Sequence, residues 1–169
     1  PAYPLPLMDD VIEKLADSKY WTVLDLSKAF FSIGIRPEDQ EKTGFKIGQN
    51  SYVYKRAAMG LVHSPYHLAR LIQLTFNGMI GIELMVYCDD LIVMSSNIKT
   101  NLIRLRHVLE RLREAKLKLN PRKCSFFKKK IEFLGFTIDQ IGLHPNNKKV
   151  ECIQKLQRPK TLKQVQSFL

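Results

Sequence analysis

Apolar residues recur along much of this chain at steps of three and four, the spacing that places them on one face of a helix. The pattern is clearest over residues 100–119, where charged residues fill the opposite face and Pro121 follows. A long amphipathic helix that ends before Pro121 is therefore predicted. The same spacing predicts shorter helices over residues 8–16, over residues 67–76 and from Asn147 onward.

Other segments are rich in aromatic and β-branched residues, which is typical of strands. Residues 20–26 and 130–138 each indicate one strand. Residues 43–47 and 51–55 flank a turn over residues 48–50 that begins with glycine, so they predict a hairpin. Strands interleaved with helices predict an α+β fold in which an antiparallel sheet packs on helices.

A second hairpin is predicted where two apolar runs, residues 83–87 and 91–95, flank Cys88-Asp89-Asp90. Asp is depleted from strands, and desolvating a carboxylate is costly unless it is paired. Asp is also common in turns, so an exposed turn at the hairpin tip explains the adjacent acids without any function. Taken alone, the pair favours a turn over a site.

Asp25 changes this interpretation, because it is a single acid inside the apolar strand predicted over residues 20–26. If the two strands that carry carboxylates lie side by side, three carboxylates converge and repel one another unless a cation lies between them. Mg²⁺ prefers carboxylate oxygen, and two such ions about 3.5–4 Å apart catalyse in-line displacement at phosphorus. The sequence therefore predicts a shared metal site, provided that these strands are neighbours.

The charge of the chain suggests its partner. The 169 residues contain 27 Lys and Arg against 16 Asp and Glu, which gives a net charge of +11 and a pI of about 9.7. The basic excess is concentrated between Arg104 and Lys163. Such a field favours a polyanion such as nucleic acid, although a basic surface that serves only solubility is the alternative.

The remaining bulk features argue against other classes of protein. No apolar run approaches the roughly 18 residues that span a membrane, and the N-terminus lacks the pattern of a signal peptide. Cys88, Cys124 and Cys152 are too widely spaced for a zinc-ligand pattern or a disulfide framework, which favours a reducing compartment. A start without Met and an end inside a helical pattern predict that the chain is part of a longer protein.

Four short motifs resemble those of reverse transcriptases, in the same order and at similar spacing. LDLSKAF resembles the first catalytic motif, MGLVHSP the loop and helix that follow it, YCDD the YxDD box, and KIEFLGF the primer-gripping hairpin. They occupy residues 24–30, 59–65, 87–90 and 130–136. The resemblance is most specific to gypsy-class LTR retrotransposons, whose further patterns are similar to residues 4–10, 105–117 and 123–135. Ala58 and His63 depart from this family, which usually has Pro and Asn there.

This resemblance implies the fold and activity of a right-hand polymerase. Residues 1–143 would form partial fingers and the palm, with a fingers hairpin about residues 37–58, and residues 144–169 would begin the thumb. The implied activity is that of an RNA-directed DNA polymerase, which transfers nucleotidyl groups from dNTPs to a primer 3′-hydroxyl with two Mg²⁺ ions, or Mn²⁺ as a substitute. The catalytic carboxylates and metal ligands would be Asp25, Asp89 and Asp90, together with the backbone carbonyl of Leu26.

The resemblance also implies a nucleotide site. Its residues would be Lys28, Ala29, Phe30, Met59, Gly60 and Lys123. The first two would hold the triphosphate through backbone N–H groups, and Phe30 would exclude a 2′-hydroxyl. If this segment is a strand, only one of Phe30 and Phe31 points inward, which favours Phe30 as the gate. Plain alternatives are a core aromatic at Phe30, a turn at Gly60 and a solvated lysine at Lys123.

The implied contacts with primer and template involve four residues: Tyr87, Phe133, Leu134 and Gly135. Leu134 is equally well explained as a core residue. The basic run of residues 128–130 and the basic face of the long helix are candidates for phosphate contacts, and plain solvent surface is the stronger alternative for the helix. The implied partners are an RNA or DNA template with its primer, dNTPs and no membrane. The chain would belong to a polyprotein with protease, RNase H and integrase, in cytoplasmic virus-like particles.

Two alternatives to this polymerase stay open. A catalytically inactive or domesticated remnant would keep the fold and bind nucleic acid, but it would have no reason to keep three costly carboxylates. An RNA-templated RNA polymerase would share the metal site, yet it would need room for a 2′-hydroxyl where Phe30 stands. The family's basic clamp for the triphosphate is expected before Pro1, so whether these residues polymerise by themselves is also open.

Overall fold

In a computed structural model, the chain forms antiparallel strands that are interleaved with helices. The strands are β1 Tyr20–Asp25, β2 Phe45–Ile47, β3 Asn50–Tyr52, β4 Leu84–Tyr87, β5 Asp90–Ser95, β6 Ser125–Lys128, β7 Lys130–Phe133, β8 Phe136–Asp139 and β9 Leu143–Pro145. The α-helices are α1 Pro37–Gln40, α2 Ser64–Thr75 and α3 Ile98–Glu114, and short 3-10 helices cover Ala29–Ser32 and Glu41–Thr43.

The structure describes residues 13–15, 17–87 and 89–145. Most of the helix predicted over residues 8–16 lies outside this part, although residues 13–15 are helical. The helix predicted from Asn147 onward also lies outside the described residues.

A four-stranded antiparallel sheet with the order β4-β5-β1-β6 forms the centre of the fold. It is buried on both faces: Leu91 and Val93 of β5 face one side, Ile92 and Met94 face the other, and all of these residues are buried. A strand of this kind has a continuous apolar run instead of an alternating pattern, as residues 91–95 do. Helices α2 and α3 cover the first face, and the β7–β8 hairpin covers the second. The predicted α+β fold is confirmed.

The helix predicted over residues 100–119 is shorter than expected, because α3 ends at Glu114. Lys116 adopts a left-handed backbone conformation with φ of 56°, and the N–H of Leu117 returns to the carbonyl of Leu112 at 2.9 Å. These features define a Schellman C-cap, in which glycine usually takes the left-handed position. Leu117 is buried in the same cluster as Leu112, so the apolar spacing continues beyond the end of the helix.

The strand predicted over residues 130–138 is wrong, because this segment forms the β7–β8 hairpin. Leu134 and Gly135 have φ of 50° and 85° and form its two-residue turn. Positive φ at both positions is the type I′ geometry that matches strand twist, but a bulky residue rarely adopts it.

Smaller corrections concern the predicted hairpin and the predicted helix near it. Thr43 belongs to a 3-10 helix, and β2 and β3 pair only around Gly48 and Gln49. Helix α2 begins at Ser64, three residues before the predicted start at His67. Strands β6 and β9 were not predicted; β6 pairs irregularly with β1, and Phe127 within it has φ of 52°, so it has no clean alternating pattern.

Candidate active site

Two of the predicted carboxylates lie opposite each other at one end of the central sheet. Strand β1 ends at Asp25, β5 begins at Asp90, and the antiparallel register pairs these two residues directly. Side chains of residues that are directly opposite in an antiparallel pair share one face of the sheet. Asp89 precedes Asp90 in the exposed turn between β4 and β5. The condition on which the predicted site depends, that the two strands are neighbours, is therefore met.

The charges at this end of the sheet influence one another. Desolvation by partial burial raises the pKa of Asp90 above its usual value. The negative charges of Asp89 and Asp25 raise this pKa further, whereas the positive charge of Lys123 lowers it. The three carboxylates are thus close enough to repel one another, and a cation nearby relieves that repulsion.

Asp25 is held through both its backbone and its side chain. Its carbonyl accepts a hydrogen bond from the N–H of Asn120 at 2.9 Å, and the Nζ of Lys123 lies 3.4 Å from its Oδ2. The N–H of Ser27 donates to the carbonyl of Lys118 at 2.7 Å, which completes a bridge between Leu26 and Leu119. The segment after α3 therefore fixes the end of β1.

The bridge between Leu26 and Leu119 leaves one backbone acceptor outside it. Its two hydrogen bonds use the carbonyl of Asp25 and the N–H of Ser27, so the carbonyl of Leu26 takes no part in them. An extended backbone directs successive carbonyls to opposite sides. The Leu26 carbonyl, which the resemblance implies as a metal ligand, belongs to the residue after Asp25 and is not used by this bridge.

The donor set fits a hard cation that keeps water or substrate among its ligands. Within the described residues, no three His, Cys, Asp or Glu side chains are grouped so that they alone hold a metal ion. Mg²⁺ usually takes only one or two protein carboxylates and completes its shell with water and substrate phosphates. The pairing of Asp25 with Asp90, and the neighbouring charge of Asp89, are compatible with ions of this kind.

The segment after Asp25 is a 3-10 helix, so the strand premise used for the two phenylalanines was wrong. Lys28 caps this helix with φ of 52° and ψ of 44°, a conformation that is costly for a non-glycine residue. Ala29 is buried, and Phe30 packs, partly buried, against the cluster beneath α2 and α3. Phe31 is the more exposed of the two rings. The described contacts therefore agree with Phe30 as the inner ring, although for a different geometric reason.

The loop that carries Met59 and Gly60 is connected to this 3-10 helix. The N–H of Ala57 donates to the carbonyl of Ile33 at 2.9 Å, and the hydroxyl of Ser64 donates to the carbonyl of Ala58 at 3.1 Å. Met59 is 71% exposed, and Val62 in the same loop is exposed as well. Ala58, at the position where the family usually has Pro, is buried.

The backbone conformation at position 60 favours glycine over any other residue. Its φ is 92°, and a Cβ built there would meet no atom of the described residues within 4 Å. The loop thus presents open space at Gly60 and an exposed side chain at Met59. Both the turn and the close approach of a ligand remain compatible with this glycine.

The predicted primer residues meet at a ring contact between the two hairpins. The rings of Tyr87 and Phe133 are 6.0 Å apart between centroids and nearly perpendicular, at 88°. Leu134 and Gly135 form the turn next to Phe133, and Leu134 packs, partly buried, against the cluster beneath β7 and β8. The turn that carries the carboxylates and the β7–β8 turn are therefore neighbours.

A buried polar network, which the sequence pattern did not reveal, positions β1. The hydroxyl of Thr22 donates to Oδ1 of Asn101 at 2.8 Å and accepts from the N–H of Phe127 at 3.1 Å. The Nδ2 of Asn101 donates to the carbonyls of Tyr20 and Val93 at 3.2 and 3.4 Å. Asn101 lies at the helical spacing of the buried leucines of α3, and a polar residue at such a position was the signal that could have found it.

The basic residues that the sequence offers for phosphate contact lie on the surface of the described part of the chain. Lys128, Lys129 and Lys130 are exposed, as is most of the charged face of α3. Contacts of these residues with phosphate stay predictions. Among the helices that the structure describes, none has the length and apolar character needed to cross a membrane.

Similarity to known proteins supplies the family. Residues 2–138 match the family model described as "Reverse transcriptase (RNA-dependent DNA polymerase)". The chain is 34% identical over 167 residues to the retrovirus-related Pol polyprotein from transposon 297 of Drosophila melanogaster, and 30% identical to that from transposon gypsy of the same organism. Each alignment covers 99% of this chain but only 16% of the relative.

Solved structures agree with the sequence relatives. The foamy viral protease-reverse transcriptase in complex with dsDNA matches with a TM-score of 0.89 and 26% identity over 99% of this chain and 34% of that one. The same viral protein in complex with an RNA/DNA hybrid matches with a TM-score of 0.86, over 99% of this chain and 23% of that one. The resemblance to gypsy-class retrotransposons is confirmed, and the chain belongs to the reverse transcriptase (RNA-dependent DNA polymerase) family.

Proposed function

We propose that this chain is the core of an RNA-directed DNA polymerase, which transfers nucleotidyl groups from dNTPs to the 3′-hydroxyl of a primer. The observation that carries the proposal is the direct pairing of Asp25 with Asp90, beside Asp89 in the turn, in a chain of the reverse transcriptase family. Carboxylates that converge at the ends of apolar strands are costly unless a cation offsets their charge, which supports a metal site here.

Asp25, Asp89 and Asp90 would hold two Mg²⁺ or Mn²⁺ ions, with the Leu26 carbonyl as a further ligand. When bound, the ions supply activation of the primer hydroxyl and stabilisation of the charge that develops on the phosphate. The chain's own contribution is to fix the ligands before the ions arrive. The hydrogen bond from Asn120 to the Asp25 carbonyl and the register of β1 with β5 support this role.

The nucleotide would lie between the 3-10 helix and the loop at Gly60. Backbone N–H groups of Lys28 and Ala29 would hold its triphosphate, because the first N–H groups of a helical turn have no partner within the helix. Phe30 would pack against the sugar and leave no space for a 2′-hydroxyl. The exposed Met59 side chain and the open space at Gly60 support a ligand on that side.

The primer end would rest on the contact between the two hairpins. Tyr87 would line it from the β4–β5 side, and Phe133, Leu134 and Gly135 from the β7–β8 side. The perpendicular packing of Tyr87 on Phe133 supports this assignment, because it ties the β7–β8 turn to the carboxylates. A primer positioned by one turn would therefore be positioned relative to the other.

The partners would be an RNA or DNA template, its primer and dNTPs. The foamy viral relative was solved with RNA/DNA hybrid and with dsDNA, and the net charge of +11 favours such a polyanion. We assign residues 1–143 to palm and partial fingers, with the fingers hairpin about residues 37–58, and residues 144–169 to the beginning of the thumb. The chain would act within a Pol polyprotein with protease, RNase H and integrase, in cytoplasmic virus-like particles.

The test uses the chain extended at both ends within its own polyprotein, a primed RNA template, dNTPs and MgCl₂ or MnCl₂. Asp89→Asn should abolish primer extension, whereas Asp17→Asn, which removes an exposed acid away from the site, should not. Phe30→Val should admit ribonucleotides. Full extension by Asp89→Asn would refute the metal assignment, and template binding without any extension by the unaltered protein would favour the non-enzymatic alternative.

A further inference from the structure

Lys123 occupies an unusual place for a lysine in a basic run. Its Nζ lies 3.4 Å from Oδ2 of Asp25, a residue 98 positions away in sequence. The Lys123 side chain is 66% exposed, whereas that of Asp25 is only 18% exposed. The ion pair therefore brings a solvent-facing cation onto a mostly buried carboxylate.

Local hydrogen bonds fix the backbone of the turn that carries Lys123. The N–H of Lys123 donates to the carbonyl of Asn120 at 3.0 Å, and the Sγ of Cys124 contacts the same carbonyl at 3.2 Å. Asn120 in turn donates its N–H to the carbonyl of Asp25 at 2.9 Å. The turn that contains Asn120 and Lys123 thus binds the backbone of Asp25 and also places a cation next to its carboxylate.

The charge of Lys123 acts on more than Asp25. It also lowers the pKa of Asp90, against the raising effects of burial, Asp89 and Asp25. The positive charge that pairs with Asp25 therefore also offsets part of the repulsion that Asp90 experiences. A divalent ion at the proposed site would offset the same repulsion, so the two cations compete for the same electrostatic role.

We propose that Lys123 is a tethered counter-cation, which pairs with Asp25 when no divalent ion is bound and is displaced from Asp25 when one binds. This inference rests on the proposed metal site and adds a regulatory property to it. The ion pair stabilises the metal-free protein and weakens the apparent affinity for metal.

The size of the effect follows from the exposure of the pair. Ion pairs with one solvent-exposed partner contribute little, because water and salt screen them. We expect Lys123→Gln to bind Mn²⁺ about two- to fivefold more tightly than the unaltered chain at low salt. Lys123→Arg keeps the charge and should bind Mn²⁺ no more tightly than the unaltered chain.

The experiment measures free Mn²⁺ by electron paramagnetic resonance during titration of the 169-residue chain and its variants. Lys99→Gln removes an equal charge from an exposed position on α3 and is the matched control; its Mn²⁺ affinity should be unchanged. Asp25→Asn is run in parallel and should weaken Mn²⁺ binding. In thermal unfolding, Lys123→Gln should melt lower than the unaltered chain without metal, and saturating Mn²⁺ should remove this difference.

The outcomes separate this inference from the proposed function. Equal or weaker Mn²⁺ binding by Lys123→Gln, with Asp25→Asn still deficient, would overturn the counter-cation and leave the metal site intact. Tighter binding by Lys99→Gln and Lys123→Gln alike would also overturn it, because the gain would then come from net charge. Mn²⁺ binding that does not depend on Asp25 would refute the metal site, and the inference with it.

Discussion

Replacing Asn101 should markedly lower the free energy of unfolding, because its side chain joins several strands of the central sheet to α3. It is fully buried on α3, accepts from Thr22 and donates to the carbonyls of Tyr20 and Val93. Thr22 also accepts from the N–H of Phe127. One amide therefore connects α3 to β1 and β5 directly, and to β6 through Thr22.

The cost of Asn101→Ala can be worked out from these bonds. A net hydrogen bond contributes about 0.5–1.5 kcal/mol, and a buried group left without its partner costs about 1–3 kcal/mol. Losing the amide removes both its acceptor and its donors and leaves a small cavity. We therefore expect the free energy of unfolding to fall by about 2–4 kcal/mol. That is a large share of the roughly 5–15 kcal/mol by which domains of this kind are stable.

Urea unfolding followed by circular dichroism tests this value, with Asn77→Ala as the control because Asn77 is exposed in a loop. The control should change stability by less than about 0.5 kcal/mol. Thr22→Val removes the other end of the network. Each single replacement leaves the other side chain buried without its hydrogen-bond partner, whereas the double replacement removes both groups. The double variant should therefore lose clearly less stability than the sum of the losses in the two single variants. Strict additivity, or a loss below about 1 kcal/mol for Asn101→Ala, would refute the network.

Two further predictions concern the turns. Gly60→Ala should lower the free energy of unfolding by about 1–2 kcal/mol, because φ of 92° disfavours any residue with a Cβ. Gly34→Ala is the control in the same urea series and should be neutral or stabilising, because neither φ nor space opposes a Cβ there. Equal costs for the two replacements would show that φ is not the cause. The hydrogen bond from the backbone N–H of Ile141 lowers the pKa of Asp139, with smaller effects from Gly142 and His144. The contribution of this carboxylate to the stability of the fold is therefore present above its unfolded-state pKa and is lost as the pH falls through the lower folded-state pKa. Unfolding midpoints measured against pH should therefore show the unaltered chain losing its advantage over Asp139→Asn in acid, and a constant difference would contradict this.

The local pattern of the sequence predicted the parts of the fold that depend on local spacing. The apolar runs around the carboxylates became β4 and β5, and the amphipathic stretch became α3. Pairing of β1 with β5 was stated only as a condition, because the register of distant strands depends on contacts that no local window contains. The motif resemblance supplied that missing information, and the register of Asp25 with Asp90 agrees with it.

Three of the errors arose where a bulky residue adopts a conformation that usually belongs to glycine. Lys116, Phe127 and Leu134 all have positive φ, and each lies where a predicted element ended early, was missed or was merged with its neighbour. Leu134 shows the reason most clearly: in KIEFLGF, a leucine between apolar neighbours favours a continuing strand, although its backbone turns. Tertiary packing of Leu117 and Leu134 into the core offsets the local cost of these turns.

The strained turns and the site are connected, because the turns decide what reaches Asp25. If α3 continued to Leu119 as predicted, residues 118 and 119 would be helical, and this segment could not pair with the end of β1. The left-handed Lys116 ends the helix early, so that Lys118 accepts from Ser27, and Asn120 donates to Asp25. Lys123 then follows within the same turn and meets the carboxylate. A backbone conformation seven residues from Lys123 therefore decides whether this lysine is a solvated charge or a neighbour of Asp25, and a sequence pattern that extends the helix cannot show it.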